Sequence, residues 1–252
     1  MQILQKLPSS LNVLKKPPKT LFFRGEPLLL ESRLLSIVGT RHPSQYTKEM
    51  TKRLACGLAQ RGIVVVSGAA MGVDALAHTG AFPKTIAVMA NSLDISYPAV
   101  NKKLIGRIYE EGLALSEYEA STRATKYSFV IRNRIVVALG EVLIITEADL
   151  NSGTMRSAQI AIELGKPIYV LSQRAGESLG THQLVAEGHA EIITDIDAFL
   201  SRFGAEVVDS GELGYFHTSR SLKESLKKYG DKIYEWELEG KIIIKNLKVS
   251  LS

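Results

Sequence analysis

Three short turns rich in glycine and hydroxyls are the residues best suited to chemistry in this sequence. Gly39-Thr40-Arg41 follows the apolar run LLSIV, Ser67-Gly68-Ala69 follows IVVV, and Asn151-Ser152-Gly153-Thr154 lies between VLIITEADL and the helical-period segment MRSAQIAIELG. A strand that turns through glycine into a helix offers unpaired backbone N–H groups and the positive end of the helix dipole to an anion. Thr40, Arg41, Ser152 and Thr154 add side-chain donors, and Gly68, Ala69 and Gly153 are small enough for a backbone to come close. The chemistry is phosphate binding, and three such turns together favour one phosphate-lined pocket over three unrelated turns. Asp74, in the first turn of the segment after Ser67-Gly68-Ala69, is read mainly as an acid that complements the helix dipole.

A fourth segment, Lys126 to Arg134, packs Lys126, Arg132 and Arg134 among Tyr127 and Phe129, with Asn133 beside them. Cations that track a backbone and rings that stack on bases are the paired features of single-strand binders. The competing reading is a helix start with Phe129 and Ile131 in the core and its cations solvated. Tyr97, Tyr118 and His42 are read as packing or rim residues.

Catalytic arrangements are sparse. The histidines, His42, His78, His182, His189 and His217, show no metal-ligand spacing, and neither a GxSxG elbow, a GxGxxG fingerprint nor a GxxxxGK[ST] loop occurs. Glu117, Glu119, Glu147 and Asp149 are read as solvated loop carboxylates. The single cysteine, Cys56, excludes an internal disulfide or a structural zinc knuckle. No catalytic residue, metal or cofactor is expected.

The elements that must hold these turns follow from the hydrophobic pattern. From Leu34 to about Phe203, short apolar runs without polar alternation (LLSIV, IVVV, IAVM, VLIIT, IYVL) alternate with helical-period segments. Such runs suit strands buried on both faces of a parallel sheet, and strand, crossover, strand repeated is the doubly wound α/β pattern. Ligands of open parallel sheets bind beyond the carboxyl ends of the strands, where the glycine turns fall. Gly62, Gly112, Gly140 and Gly165 close helices on the opposite side, at positions that suit left-handed caps.

Residues 1–33, with Lys6, Lys15, Lys16, Lys19 and Arg24, read as an extended basic lead-in packed along the core. Residues 34–204 form the α/β domain, 205–219 a linker, and 220–252 two short helices and a hairpin in a winged-helix-like layout. The 252 residues are 45% apolar and 23% charged, typical of a globular chain, and the net charge of +5 leaves polyanions as natural partners. The opening MQILQKLPSS lacks the unbroken apolar stretch of a secretory signal, and no run is long enough to span a bilayer. The expectation is a soluble cytoplasmic protein without a membrane partner.

Taken in order, IVGTR, VVSGAAMGVDALAH, TIAVMANSLDISYPAVNKKL, LSEYE, FVIRNRIVVALGEVLIITEADLNSGT and SLGTHQLVAEGHA resemble the DNA processing protein A family, from about Ile37 to His189. The resemblance implies an extended Rossmann-like domain that grips single-stranded DNA, a homodimer, and delivery of the strand to a RecA-type recombinase in natural transformation. It implies a pocket of Gly39, Thr40, Arg41, Ser67, Gly68, Ala69, Lys126, Phe129, Asn133, Ser152, Gly153 and Thr154. Asn91 and Ser92 stand where the family has glycines, Gln173 where a glycine is common, and His182 where asparagine is usual.

Two other functions compete. A Rossmann-like phosphoribohydrolase would hold a nucleoside monophosphate with the same turns, but Asn151-Ser152-Gly153-Thr154 lacks the proline-glycine pair of those enzymes. A scaffold would bind its partner through the C-terminal appendage.

Overall fold

The computed structural model describes residues 1–206 and 220–251. The chain divides into two compact units, Met1–Glu206 and Val207–Ser252. Most of the predicted linker, residues 205–219, lies outside the described residues.

In the larger unit the apolar runs are strands: β3 (Leu34–Val38), β4 (Val64–Ser67), β5 (Thr85–Val88), β6 (Leu113–Ser116), β7 (Leu143–Ile145), β8 (Ile168–Leu171) and β9 (Glu191–Ile193). All seven run parallel, and β3 is bonded to both β4 and β7. The helices are α1 (Gln45–Gln60), α2 (Val73–Ala81), α3 (Lys102–Glu111), α4 (Lys126–Leu139), α5 (Gly153–Glu163), α6 (Leu179–Ala186) and α7 (Ile196–Ser201). Strand residues alternate between two cores. Leu34, Val38, Val64, Val66, Leu143 and Ile145 join α4 and α5, while Leu35, Ile37, Val65 and Ile144 join α1, α2 and α7. Each large aliphatic chain buried this way contributes about 1.5–3 kcal/mol relative to exposure, so the unbroken apolar runs require covering on both faces.

The basic lead-in does more than pack along this core. β1 (Gln2–Ile3) and β2 (Phe22–Gly25) extend the sheet to nine strands in the order β1-β2-β6-β5-β4-β3-β7-β8-β9, with β2 antiparallel to β6. Leu11, Leu14 and Leu21 are buried with the α4 side of the core. The cations of the segment masked this, because the apolar residues between them are too scattered to read as strands.

Two of the four expected left-handed caps are present, Gly62 (φ +77°) and Gly165 (φ +64°). Gly112 and Gly140 instead have negative φ. At Gly140 the missing side chain matters for approach: a Cβ would lie 2.2 Å from Ser36 Oγ.

The smaller unit holds β10 (Arg220–Ser221), α8 (Leu222–Tyr229), α9 (Lys232–Leu238), β11 (Ile242–Lys245) and β12 (Lys248–Leu251). The strands form an antiparallel sheet in the order β10-β12-β11, over a core of Ile233, Trp236, Ile242 and Val249. This is the winged-helix-like layout read from the sequence, with β10 added. Among the described residues no helix is long and apolar enough to cross a membrane.

Candidate nucleic-acid interface

Strand order reverses at β3, which pairs with β4 on one side and β7 on the other. The crossover connections therefore leave in opposite directions and open a crevice beyond the carboxyl ends. A cavity of about 670 Å³ lies there. Nine of the twelve residues proposed from sequence line it: Gly39, Thr40, Arg41, Lys126, Phe129, Asn133, Ser152, Gly153 and Thr154. Val38, Ala70, Asp74, Tyr97, Thr125, Arg132 and Ser157 also contribute.

Two helices end their positive poles at this cavity. Thr125 caps α4 in a reciprocal box: its Oγ1 accepts from Ser128 N at 3.1 Å, while Ser128 Oγ accepts from Thr125 N at 2.8 Å. Ser152 caps α5 by accepting from Met155 N at 3.3 Å. These caps satisfy the third amide of each helix and leave the first-turn amides to an outside acceptor. Around Gly153 nothing stands within 4 Å of where a Cβ would be, so the α5 terminus faces open space.

The first glycine turn works differently from the sequence reading. Helix α1 begins only at Gln45, capped by Ser44, and its first turn lines another depression beside Gln173 and Arg174. What Gly39-Thr40-Arg41 supplies is a rigid loop. Thr40 N donates to Glu147 O at 2.9 Å, Thr40 O accepts from Val73 N at 3.1 Å, and Thr40 Oγ1 accepts from His42 N at 3.2 Å. From this loop the exposed Arg41 holds its guanidinium 5.2 Å from the centroid of the Phe129 ring. Tyr97 lies 6.0 Å from the same ring at 48°. Cation and rings thus form one platform on the cavity wall.

Ser67, Gly68 and Ala69 sit beneath the cavity and do not line it. Ser67 is fully buried and donates to Ile37 O at 2.6 Å. Gly68 does admit a close neighbour, but the neighbour is Arg132, whose guanidinium atoms would lie 2.3–2.5 Å from a Cβ. Ala69 adopts φ +54°, and its N–H donates to His78 Nε2 at 3.2 Å. Nδ1 of that buried histidine lies 2.7 Å from Thr85 Oγ1, which donates to Val65 O. With Nε2 accepting, the proton sits on Nδ1 and the relay is complete for a neutral ring. Burial, reinforced by the Arg132 charge, pushes the His78 pKa down to about 3.

Arg132 is the residue the sequence reading underweighted. It is 3% exposed, donates to Val88 O, and its Nε donates to Asn133 Oδ1 at 3.2 Å. Asn133 Nδ2 in turn donates to Ser157 Oγ at 3.1 Å, which ties α4 to α5. Asp74, 7% exposed on α2, also lines the cavity and accepts from Ala70 N at 3.4 Å. Burial raises the Asp74 pKa and lowers that of Arg132, and the attraction between the two charges opposes both shifts. A charged residue inside the apolar stretch VIRNRIVVAL was the available signal for Arg132. Tyr97, read as packing or rim, carried none.

Arg41, Lys126 and Arg132 against Asp74 leave the lining positive, and the two helix poles add to it. Glu117, read as a solvated carboxylate, is half-buried and paired with Arg134 through bonds of 2.8 and 2.7 Å. Asn91 and Ser92 form a buried turn, with Asn91 Nδ2 donating to Ile95 O at 2.6 Å and Ser92 Oγ to Thr122 O at 3.1 Å.

This geometry has counterparts in known proteins. The profile of the DNA recombination-mediator protein A family matches residues 3–204. The chain is 36% identical over 180 residues to a putative DNA processing protein DprA of Mycobacterium tuberculosis, covering 68% of this chain and 46% of that relative. It is 34% identical to the DNA processing protein DprA of Streptococcus pneumoniae, over 78% of this chain and 71% of the relative. The chain thus spans about half the length of some curated relatives and more of others. Among solved structures, DNA processing protein A from Helicobacter pylori, described for its single-stranded DNA binding mode, superposes with a TM-score of 0.79 at 45% identity, covering 80% of this chain and 94% of that one. The Streptococcus pneumoniae structure gives 0.73 at 32% identity, over 79% and 71%. By sequence and by fold, the chain belongs to the DNA recombination-mediator protein A family.

Proposed function

We propose that this chain binds single-stranded DNA in the cavity at the switch point, acts as a cytoplasmic homodimer, and hands the strand to a RecA-type recombinase during natural transformation, without catalysing a reaction. One observation carries the reading: a single cavity gathers Arg41, Lys126 and two helix N-termini around the rings of Phe129 and Tyr97. Phosphates bond to the first-turn amides of α4 and α5, to Ser152 and Thr154, and to Arg41 and Lys126, while bases stack on Phe129. Gly68 acts from beneath by leaving room for the Arg132 guanidinium, and Ser67 and Ala69 fix the turn that carries it through their bonds to Ile37 O and His78. The Helicobacter pylori relative's single-strand binding and the family's recombination-mediator description support the same reading.

Fluorescence anisotropy with labelled oligothymidine and a matching duplex, at two salt concentrations, tests it. Tight binding of the single strand is expected, with a log-log salt slope of about −0.7 per phosphate contacted. Arg41→Ala should weaken every sequence alike by about tenfold or more, since a hydrogen bond to a charged group is worth about 1.5 kcal/mol or more. Binding untouched by that substitution would overturn the cavity as the single-strand site.

A further inference from the structure

Beside the cavity lies a second groove, of about 430 Å³, lined by Arg41, His42, Pro43, Lys48, Gly72, Ala75 and Leu76. Arg41 lines both, so the two adjoin at this residue. The walls hold two permanent cations and an imidazole, and no carboxylate. Among the described residues neither Arg41 nor Lys48 pairs with an acid, although other surface cations such as Arg33 and Arg53 do. Pro43, Ala75 and Leu76 give the groove an apolar floor. The wall is firm: His42 N is bonded to Thr40 Oγ1, Lys48 sits in the first turns of the sixteen-residue helix α1, and Gly72 packs with no room for a Cβ against the Thr40 and Arg41 carbonyls.

An unneutralised cationic groove that shares a residue with an anion cavity suits a polyanion too long for the cavity alone. We propose that the groove is a second phosphate subsite on the track of one single strand. Nucleotides leaving the cavity pass Arg41 and run over Pro43 and Leu76, with Lys48 and His42 on the backbone phosphates. The subsite rests on the reading of the cavity as a single-strand site and extends it by giving the strand a direction across the rim.

Oligothymidines of increasing length, titrated by anisotropy against the full chain and its Lys48→Glu and Lys48→Gln variants, decide the matter. The shortest oligomer that binds should show equal affinity for all three proteins. For longer ones the wild type should gain affinity that both variants lack, Lys48→Glu more so, and the Lys48→Gln salt slope should be smaller by about 0.7, one phosphate contact. Thermal melts matching the wild type show that a loss is not unfolding. Equal affinity of wild type and variants at every length overturns the subsite and leaves the cavity standing. An equal loss at every length also overturns it, by placing Lys48 in the primary site. If Arg41→Ala binds as wild type does, the cavity reading fails and the subsite with it.

Discussion

Glycines at the rim look alike in the sequence and do different things in the fold. Gly39 gives way to Val73 of α2, whose Cγ2 would lie 2.6 Å from a Cβ, and Gly68 gives way to Arg132. Of these three, Gly153 alone opens onto empty space. Gly153→Ala should therefore leave stability unchanged or raise it by up to about 1 kcal/mol, since alanine suits a helix better than glycine. The same methyl group should weaken oligothymidine binding, because it would stand where the proposed phosphate contact is made. Chemical denaturation and anisotropy on one preparation separate the two effects, and undiminished binding would move the phosphate off the α5 terminus. His78 makes a prediction in pH. Its folded pKa, about 3, lies below the ordinary value of 6.5, so below pH 6.5 the unfolded chain binds a proton that the folded chain refuses. The stability contributed by the neutral ring is complete above about 6.5 and is lost as pH falls toward 3, at up to about 1.4 kcal/mol per pH unit. His78→Gln should flatten the pH dependence of denaturation between about 6.5 and 4.5 relative to wild type. A slope unchanged by the substitution would show that His78 titrates alike in both states.

Elements aim these residues. Helix α4 is the busiest: its apolar half, Ile135 to Leu139, is buried in the core, and its N-terminal half brings Lys126, Phe129, Arg132 and Asn133 to the cavity. Thr125 terminates it with the capping box, so Thr125→Ala should cost about 1 kcal/mol, a fall of roughly 2–4 °C in Tm for a domain of this size. Differential scanning fluorimetry reads that shift, and no change in Tm would mean that the box is replaced by solvent. Asn101 steadies the opposite wall, donating to Ala69 O at 3.1 Å and Ala70 O at 3.0 Å, and so ties the loop that follows Tyr97 to the turn above His78. The first glycine turn needs no helix behind it, because the bonds around Thr40 do the fixing.

At the scale of the whole molecule, the proposed binding site falls entirely within the larger unit. Both cores that enclose the sheet, and every residue of the cavity, belong to Met1–Glu206. The smaller unit has its own apolar centre around Ile233 and Trp236. Its exposed side chains mix acids such as Glu235 and Glu237 with lysines such as Lys223, Lys227 and Lys245, whereas the residues that line the cavity all come from the larger unit. A chain ending at Glu206 should therefore hold oligothymidine within about twofold of the full chain's affinity, roughly 0.4 kcal/mol. Loss of all binding on truncation would assign the single strand to the appendage instead.

The doubly wound order of the larger unit was legible because unbroken apolar runs such as IVVV and VLIIT can be stable only between two layers, and the turns after them must then lie on one rim. Nine residues that line the cavity were legible: Gly39, Thr40, Arg41, Ser152, Gly153 and Thr154 because their types suit phosphate and they follow strands, and Lys126, Phe129 and Asn133 because they mix cation, ring and amide at the start of one helix. The lead-in strands β1 and β2 were not legible, since two to four residues pair only because the β6 edge is there to receive them. Nor was the division of the small turn residues into those that meet open space and those that meet protein. Ser67, Gly68 and Ala69 have the composition of a ligand loop, yet Arg132, sixty-four residues from Gly68 in sequence, fills the space above Gly68. Residue type and spacing determined the fold and the rim. Which neighbours occupy the rim is a matter of packing between distant segments, and only the tertiary structure decided it.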